Sequence, residues 1–355
     1  MTAQGFVAWL ASAGLTDSTT RWQISMLAAL YVEAVRHPVF HGLVLGLLIL
    51  GCAESEPHET DDWQIGPFVK YAGNPILTPE GDTWQSKDVF NPTAWTDGET
   101  VTLLYRAEDS TGVGQWYGTS RIGLARSKDG IRFVRDAEPI LEPTESWELP
   151  GGIEDPRMVR IGEIFYLTYT AYDGKTARLA HATSPDLYTW TKHGLIFPER
   201  GWTKSGSVLP ERIDGKYWMY FGDTNIWAAY STDLMEWTVV EDPVLQPRPG
   251  YFDSRLVEPG PQPVMTERGI LLLYNAADSA LVYAPGQALF DRDDPTKLLG
   301  RSDMPFMEPT TELEQTGQVP NVIFVQGFIK VSGTWRLYFG MGDSGIGVAT
   351  FTPEP

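Results

Sequence analysis

The stretch Gly151-Gly152-Ile153-Glu154-Asp155-Pro156-Arg157-Met158 sets two adjacent carboxylates beside a proline and an arginine. An apolar, aromatic run from Ile164 to Thr170 follows and reads as a strand. Two carboxylates, stiffened by Pro156 and faced by Arg157, have the parts of an acid/base device. Successive side chains on a strand point to opposite faces. Glu154 and Asp155 are therefore not expected to flank one bond, and a second carboxylate must come from elsewhere in the chain.

Other chemistries lack their residues. There is no phosphate-binding Gly-rich loop and no Cys/His metal cluster, so neither metal nor cofactor is expected. His37, His41 and His58 precede residue 63, which leaves only His181 and His193 for the body of the chain. A His-dependent triad is thus poorly supported. The formal net charge of -19 argues against a nucleic-acid partner, which needs clustered positive charge. Carboxylates and arginines remain, and these are the tools of glycoside chemistry: an acid protonates the leaving oxygen while an oxocarbenium-like centre is attacked from the opposite face.

The elements that must position these residues repeat. A proline-bounded apolar unit recurs five times, beginning at Asn74-Pro-Ile-Leu-Thr-Pro79 and Glu138-Pro-Ile-Leu-Glu-Pro143. An aromatic strand recurs five times and ends near Tyr105, Tyr169, Tyr220, Tyr274 and Tyr338. An Ala-x-Ser-x-Asp unit recurs at Ala125, Ala182 and Ala229. This period suits one four-stranded antiparallel sheet per repeat. The expected fold is all-β, a five-bladed β-propeller over 63–355 with a central channel; a β-sandwich is the alternative.

The start of the chain reads differently. Residues 1–51 form a leader whose apolar run, His41 to Gly51, has signal-peptide length. Ile49-Leu50-Gly51-Cys52 looks like a bacterial lipobox, with the chain's single cysteine at the position that is acylated. Residues 52–62 are then a tether, and the protein is expected on the periplasmic or cell surface, membrane-anchored through Cys52. An incidental cysteine beside a membrane anchor or buried helix is the alternative. Met26 makes a more ordinary start than Met1.

Five motifs in order resemble glycoside hydrolase family 130: Asp88-Val-Phe-Asn91-Pro92, Leu104-Tyr-Arg106-Ala-Glu108, Ser120-Arg121 through Gly130, Gly152-Ile-Glu154-Asp155-Pro-Arg157, and Lys204 through Met219. The resemblance runs from about Asn74 to Ala349. It implies a five-bladed propeller acting on β-mannosides, with Asp155 as general acid. It puts Asn91, Arg106 and Asp343 around the terminal mannose, and Arg121, Glu154, Arg157, Lys204 and Asn275 among the candidate sugar contacts. Taken alone, Arg106 reads as a buried ion-pair partner of Glu108 or Asp109.

The family contains phosphorylases and hydrolases. Its phosphorylases typically carry Tyr-His-Gly where this chain has Tyr274-Asn275-Ala276. Where they carry a basic residue, this chain has Glu258, in Leu256-Val-Glu-Pro-Gly-Pro-Gln-Pro263. A carboxylate there is expected to repel phosphate and to serve as the base of an inverting hydrolase, giving a β-mannosidase for β-1,2-linked oligosaccharides; a surface-loop carboxylate is the bland reading. Lys204 and Arg255 keep open a phosphorylase releasing mannose 1-phosphate. A non-catalytic glycan-binding propeller is the third reading. Gln326 stands where some hydrolytic relatives carry Glu; it can orient a water but cannot take its proton. Trp116, Tyr117 and Trp147 are candidates for the leaving-group subsite, with surface packing as the alternative.

Overall fold

The structure, a computed structural model, describes residues 63–110 and 118–353. The leader, the tether, Cys52, Trp116 and Tyr117 lie outside these residues. Four-stranded antiparallel units follow one another along the chain. The first blade is β2 (Asp88–Thr96), β3 (Val101–Glu108), β4 (Ser120–Ser127) and β5 (Val134–Arg135). The second is β6 (Gly152–Ile161), β7 (Ile164–Tyr172), β8 (Ala177–Ser184) and β9 (Thr191–Leu195). The third is β10 (Ser207–Ile213), β11 (Lys216–Phe221), β12 (Trp227–Ser231) and β13 (Thr238–Val239). In the fourth, β14 (Leu256–Pro259) and β15 (Val264–Met265) together form the inner strand against β16 (Ile270–Ala277), followed by β17 (Tyr283–Phe290) and β18 (Leu298–Arg301). A short helix, α1 (Glu312–Thr316), leads into the fifth: β19 (Ile323–Val331), β20 (Thr334–Met341) and β21 (Gly345–Phe351). Its outer strand is β1 (Val69–Lys70), which comes from before the first blade and pairs Val69 with Thr350. The five-bladed β-propeller expected from the repeats is what forms, and β1 closes it.

Each blade interface carries its own apolar core. Leu104 and Leu124 of the first blade pack with Leu167 and Tyr169 of the second. Val159 and Leu179 pack with Met219 and Phe221. Tyr220 meets Tyr274 and Phe290, Leu271 and Leu273 meet Leu337 and Phe339, and Tyr338 and Val348 meet Val89 and Tyr105 of the first blade. Five blades and five such cores make a ring, because the last core joins the last blade to the first. The five repeat tyrosines are each no more than 1% exposed. A buried phenol needs a partner, since an unmet hydroxyl costs about 1–3 kcal/mol. Every one has it: Gln85, Glu148, the Pro295 carbonyl, Asp253 and the Gly130 carbonyl for Tyr105, Tyr169, Tyr220, Tyr274 and Tyr338 in turn.

The other repeats fall into place as edges and turns. Leu77, Leu141 and Leu245 of the proline-bounded units bridge to Ile346, Ile122 and Ile226. The unit at 74–79 thus belongs to the fifth blade, although it precedes the first in the chain. In the Ala-x-Ser-x-Asp units, Ser127, Ser184 and Ser231 accept amides two and three residues on, and Asp129, Asp186 and Asp233 do the same. These units are turn chemistry.

Candidate active site

The inner strands break their own alternation where they meet the channel. Register shifts between Phe90 and Thr93 in β2, Glu154 and Arg157 in β6, and Val325 and Gly327 in β19 mark bulges. At two of them an Asn or Asp precedes proline with positive φ: Asn91 at 46° and Asp155 at 51°. Left-handed backbone costs such residues roughly 1–2 kcal/mol, and bulges of this kind re-aim side chains beside functional sites. The strand period therefore fails at Glu154 and Asp155. Both line one cavity, against the expectation that they point apart. Arg106 grips the pair, with Nη2 2.9 Å from Glu154 Oε1 and Nη1 3.3 Å from Asp155 Oδ1. Gly152 enters β6 with φ of 118°, and a Cβ there would lie 2.3 Å from the Ser120 carbonyl oxygen. Only glycine permits that approach, which sets the second blade against the first just ahead of the carboxylates.

The cavity, about 250 Å³, draws on four blades and on the segment that leads into the third. Asn91 and Arg106 come from the first, and Glu154, Asp155 and Tyr172 from the second. Trp202 and Lys204 precede the third. Glu258 and Tyr283 come from the fourth, Phe324 and Asp343 from the fifth. The proposed sugar contacts Asn91, Arg106, Glu154, Lys204 and Asp343 are thus brought together with Asp155 and Glu258, the residues read as acid and base. Asn91 Nδ2 donates to Asp155 Oδ1 at 2.9 Å. Ser205, fully buried, donates to Glu258 Oε2 at 2.8 Å. Arg106 is braced from behind by Glu108 at 2.6 Å, and Glu108 also accepts from Ser120. Arg106 is thus an ion-pair partner of Glu108, as the plain reading has it, and also lines the cavity.

Three expected contacts are not in the lining. Arg121 is held by Asp109 and Glu142. Arg157 turns into the molecule and donates to the carbonyls of Pro259 and Gly260 at 2.8 and 2.9 Å. Asn275 exchanges two hydrogen bonds with the Val325 backbone. Gln326, offered as a water-orienting group, spends its amide on the carbonyls of Asn91 and Pro156. Buried carbonyls and amides need such partners, and bulges and proline have removed the ladder bonds that would have served them. Arg157 therefore ties the second blade to the fourth, Asn275 the fourth to the fifth, and Gln326 the fifth to the first and second. They line neither the active-side cavity nor the one below it, which is lined by Trp95, Arg160, Gln262, Phe328 and Trp335 among others. Trp147 lines a third, separate cavity with Lys192 and His193. Arg255 is exposed and outside the lining.

The electrostatics divide the carboxyls. Burial pushes Glu154 up to about 7, against the pull of Arg106 and with help from the neighbouring Asp155. Burial opposes the charge of Asp155 as well, but Arg106, Lys204, Arg157 and the Asn91 amide outweigh it and hold Asp155 below the usual carboxylate range. The proton of this coupled pair sits on Glu154 at rest. Burial also raises Glu258 to about 7 despite Lys204 and Arg157, and Asp343 to about 7 despite Arg106. Lys204 stays charged because Asp155, Glu258 and Glu154 together exceed its own burial cost. Its Nζ lies 3.6 Å from Asp155 Oδ2.

Sequence reasoning missed Trp202, Tyr172, Tyr283 and the wall made by Gln318, Val319 and Val322. Trp202 stands two residues before Lys204 and was open to inspection. Tyr172 pairs with Gly152 inside the second blade, and the others reach the cavity only through closure of the ring.

The model of the glycoside hydrolase family 130, described as beta-1,4-mannooligosaccharide phosphorylase, matches residues 56–354. A 1,2-beta-oligomannan phosphorylase of Thermoanaerobacter sp. (strain X514) is 38% identical over 287 residues, 79% of this chain and 95% of its own. A beta-1,2-mannobiose phosphorylase of the same organism is 33% identical over 302 residues, covering 81% and 98%. A solved structure 39% identical, with a TM-score of 0.80 over 83% of this chain and 96% of its own, is described as "The GH130 family of mannoside phosphorylases contains glycoside hydrolases that target beta-1,2 mannosidic linkages in Candida mannan". The two named relatives overturn the expectation of a hydrolase. That expectation rested on Glu258 as a fixed negative charge, and its burial weakens the premise: a carboxyl raised to about 7 carries only about half its charge at neutral pH.

Proposed function

The chain belongs to glycoside hydrolase family 130, and from that premise we propose that it is an inorganic-phosphate-dependent phosphorylase of β-1,2-linked mannosides that releases mannose 1-phosphate. The observation that carries this is Lys204, a cavity cation whose one ion pair among the described residues is loose and goes to the acid Asp155. Arg106, the other cation of the lining, is already committed to Glu108, Glu154 and Asp155. Phosphate accepts from Lys204, from the Tyr283 hydroxyl and from protonated Glu258, while Asn91, Arg106 and Asp343 hold the terminal mannose.

In the step proposed, a phosphate oxygen forms a bond to the anomeric carbon as the bond to the glycosidic oxygen breaks on the opposite face. Inversion makes the product the α-phosphate. The leaving oxygen takes a proton from Asp155, directly or through a sugar hydroxyl, and departs as the shortened oligosaccharide. Asp155 must first be protonated, and phosphate supplies the means. An anion set beside Lys204 cancels a cation that keeps Asp155 ionised, which moves the proton of the Glu154–Asp155 pair toward Asp155.

Incubation of the purified protein with β-1,2-mannobiose, with and without inorganic phosphate, tests the proposal. Mannose 1-phosphate formed only with phosphate is expected; free mannose released at the same rate without phosphate overturns it. The β-1,2 preference is read by running β-1,4-mannobiose alongside. Anchoring through Cys52 is a separate proposal, motivated by the lipobox. It predicts that the protein fractionates with membranes and that Cys52→Ser releases it; a soluble wild-type protein refutes it.

A further inference from the structure

Of the large apolar side chains left exposed among the described residues, Trp202 is the one that lines the central cavity, and it is 54% exposed. Leaving an indole face in water forgoes roughly 2 kcal/mol of burial, and nothing among the described residues covers it. The segment carrying it is nonetheless fixed. Thr203 donates its amide to the Ala177 carbonyl at 3.0 Å and accepts from the Leu179 amide at 2.9 Å. The Lys204 carbonyl accepts from the Gly222 amide at 2.8 Å. The indole itself is pinned, since Nε1 donates to Asp223 Oδ2 at 2.5 Å. That bond ties up the one polar atom of the ring and leaves its apolar face free at a set angle.

The floor of the lining differs sharply. Asn91, Arg106, Asp155 and Glu258 are all at most 7% exposed, charged or polar, and deep. They suit a sugar engaged through its hydroxyls. A pinned aromatic plate at the rim suits a sugar engaged through its C–H face, with hydroxyls still in water. We infer that Trp202, held by Asp223, is the platform of a second sugar-binding subsite, which takes the pyranose on the leaving-group side of the scissile bond. Trp202 then determines how strongly a disaccharide is preferred over a monosaccharide, and Asp223 is its positioning residue. This rests on the reading of the cavity as a β-mannoside site, but not on whether phosphate or water is the nucleophile.

Equilibrium binding separates the two. Titration calorimetry is run with mannose and with β-1,2-mannobiose on Asp155→Asn, which prevents turnover, and on the same protein carrying Trp202→Ala, Trp202→Phe or Asp223→Asn. With Trp202 present, mannobiose is expected to bind about tenfold more tightly than mannose, the size of one aromatic contact. Trp202→Ala brings the two affinities together by weakening mannobiose alone. Trp202→Phe restores most of the difference and Asp223→Asn about half. An unchanged ratio in Trp202→Ala, with both sugars still bound, overturns the platform and leaves the mannoside reading standing. Loss of mannose binding together with mannobiose binding overturns it too, because Trp202 would then belong to the deep subsite. No binding of either sugar to Asp155→Asn alone overturns the mannoside reading and the platform with it. Thermal melts matched to Asp155→Asn show that the folded state is retained.

Discussion

Lys204 and the carboxyls around it make the behaviour of single residues pH-dependent. Replacing Lys204 with Ala removes the proposed phosphate cation and leaves the mannose contacts. Its kcat/KM for phosphate is expected to fall about 100-fold, on the scale of a charged hydrogen-bonding partner, with a far smaller change in KM for mannobiose; initial rates over a phosphate series check this. Glu258 gives a prediction of opposite kind. Its carboxyl ionises near 4.5 in a free chain and near 7 when folded. The folded state therefore binds the proton more tightly, so this group's contribution is fully present below pH 4.5 and is lost as pH rises through 7. Glu154 and Asp343 act in the same direction, while Asp155, held low, adds stability above the ordinary aspartate range. Stability should decline from about pH 5 to pH 8, and Glu258→Gln should flatten that decline by on the order of 2–3 kcal/mol. Urea denaturation at a series of pH values reads it, and an unchanged slope in the variant counts against it. Asp155, Arg106, Lys204 and Glu258 were legible in the sequence because motif order marks them. Their protonation states were not, since those depend on burial by four other blades.

At the scale of elements, the bulges decide the site. A strand read by its period puts Glu154 and Asp155 on opposite faces; the bulge and the positive φ at Asp155 put them on one. Nothing in the strand pattern announces this, although Asn91-Pro92 and Asp155-Pro156 share a sequence signature that the structure turns into a shared backbone shape. Gln326 holds the carbonyls of Asn91 and Pro156 together at 2.8 and 2.6 Å. A donor is required there, so Gln326→Glu does not add a catalytic base. It sets carboxylate oxygens against two buried carbonyls, and a loss of about 2–4 kcal/mol is expected from the unmet groups. Denaturant midpoints measure the loss; a variant as stable as the parent with raised phosphate-independent hydrolysis contradicts it. Arg157 and Asn275 were misread for the same reason. Polar residues beside a catalytic motif resemble ligands in one dimension and become cross-ties only when opposite blades meet.

For the whole molecule, the repeat count and the spacing of the five tyrosines gave the architecture directly, since each blade must bury one phenol in the same place. The closing strand was not legible, because two residues of β1 carry too little pattern to be noticed. Yet β1 does more than pair with β21. Lys70 reaches Glu314 at 2.8 Å, and Glu314, with no exposed side-chain surface, sits in α1 just before the Gln318–Val322 cavity wall. Lys70→Ala leaves that carboxylate buried and unpaired, so a loss of about 3 kcal/mol is expected, together with a higher KM for mannobiose. Calorimetric melting and initial rates report the two effects, and a melt unchanged from the parent contradicts the first.

The same strand sets an order in time. Val69 leaves the ribosome well before its partner Thr350. Entropy favours short closures over long ones, so each blade can form as it is synthesised while β1 waits for its pair. Asp343, part of the cavity lining, arrives shortly before Thr350. A nascent chain therefore carries finished blades around an unfinished pocket until the segment that bears Asp343 and Thr350 has been made.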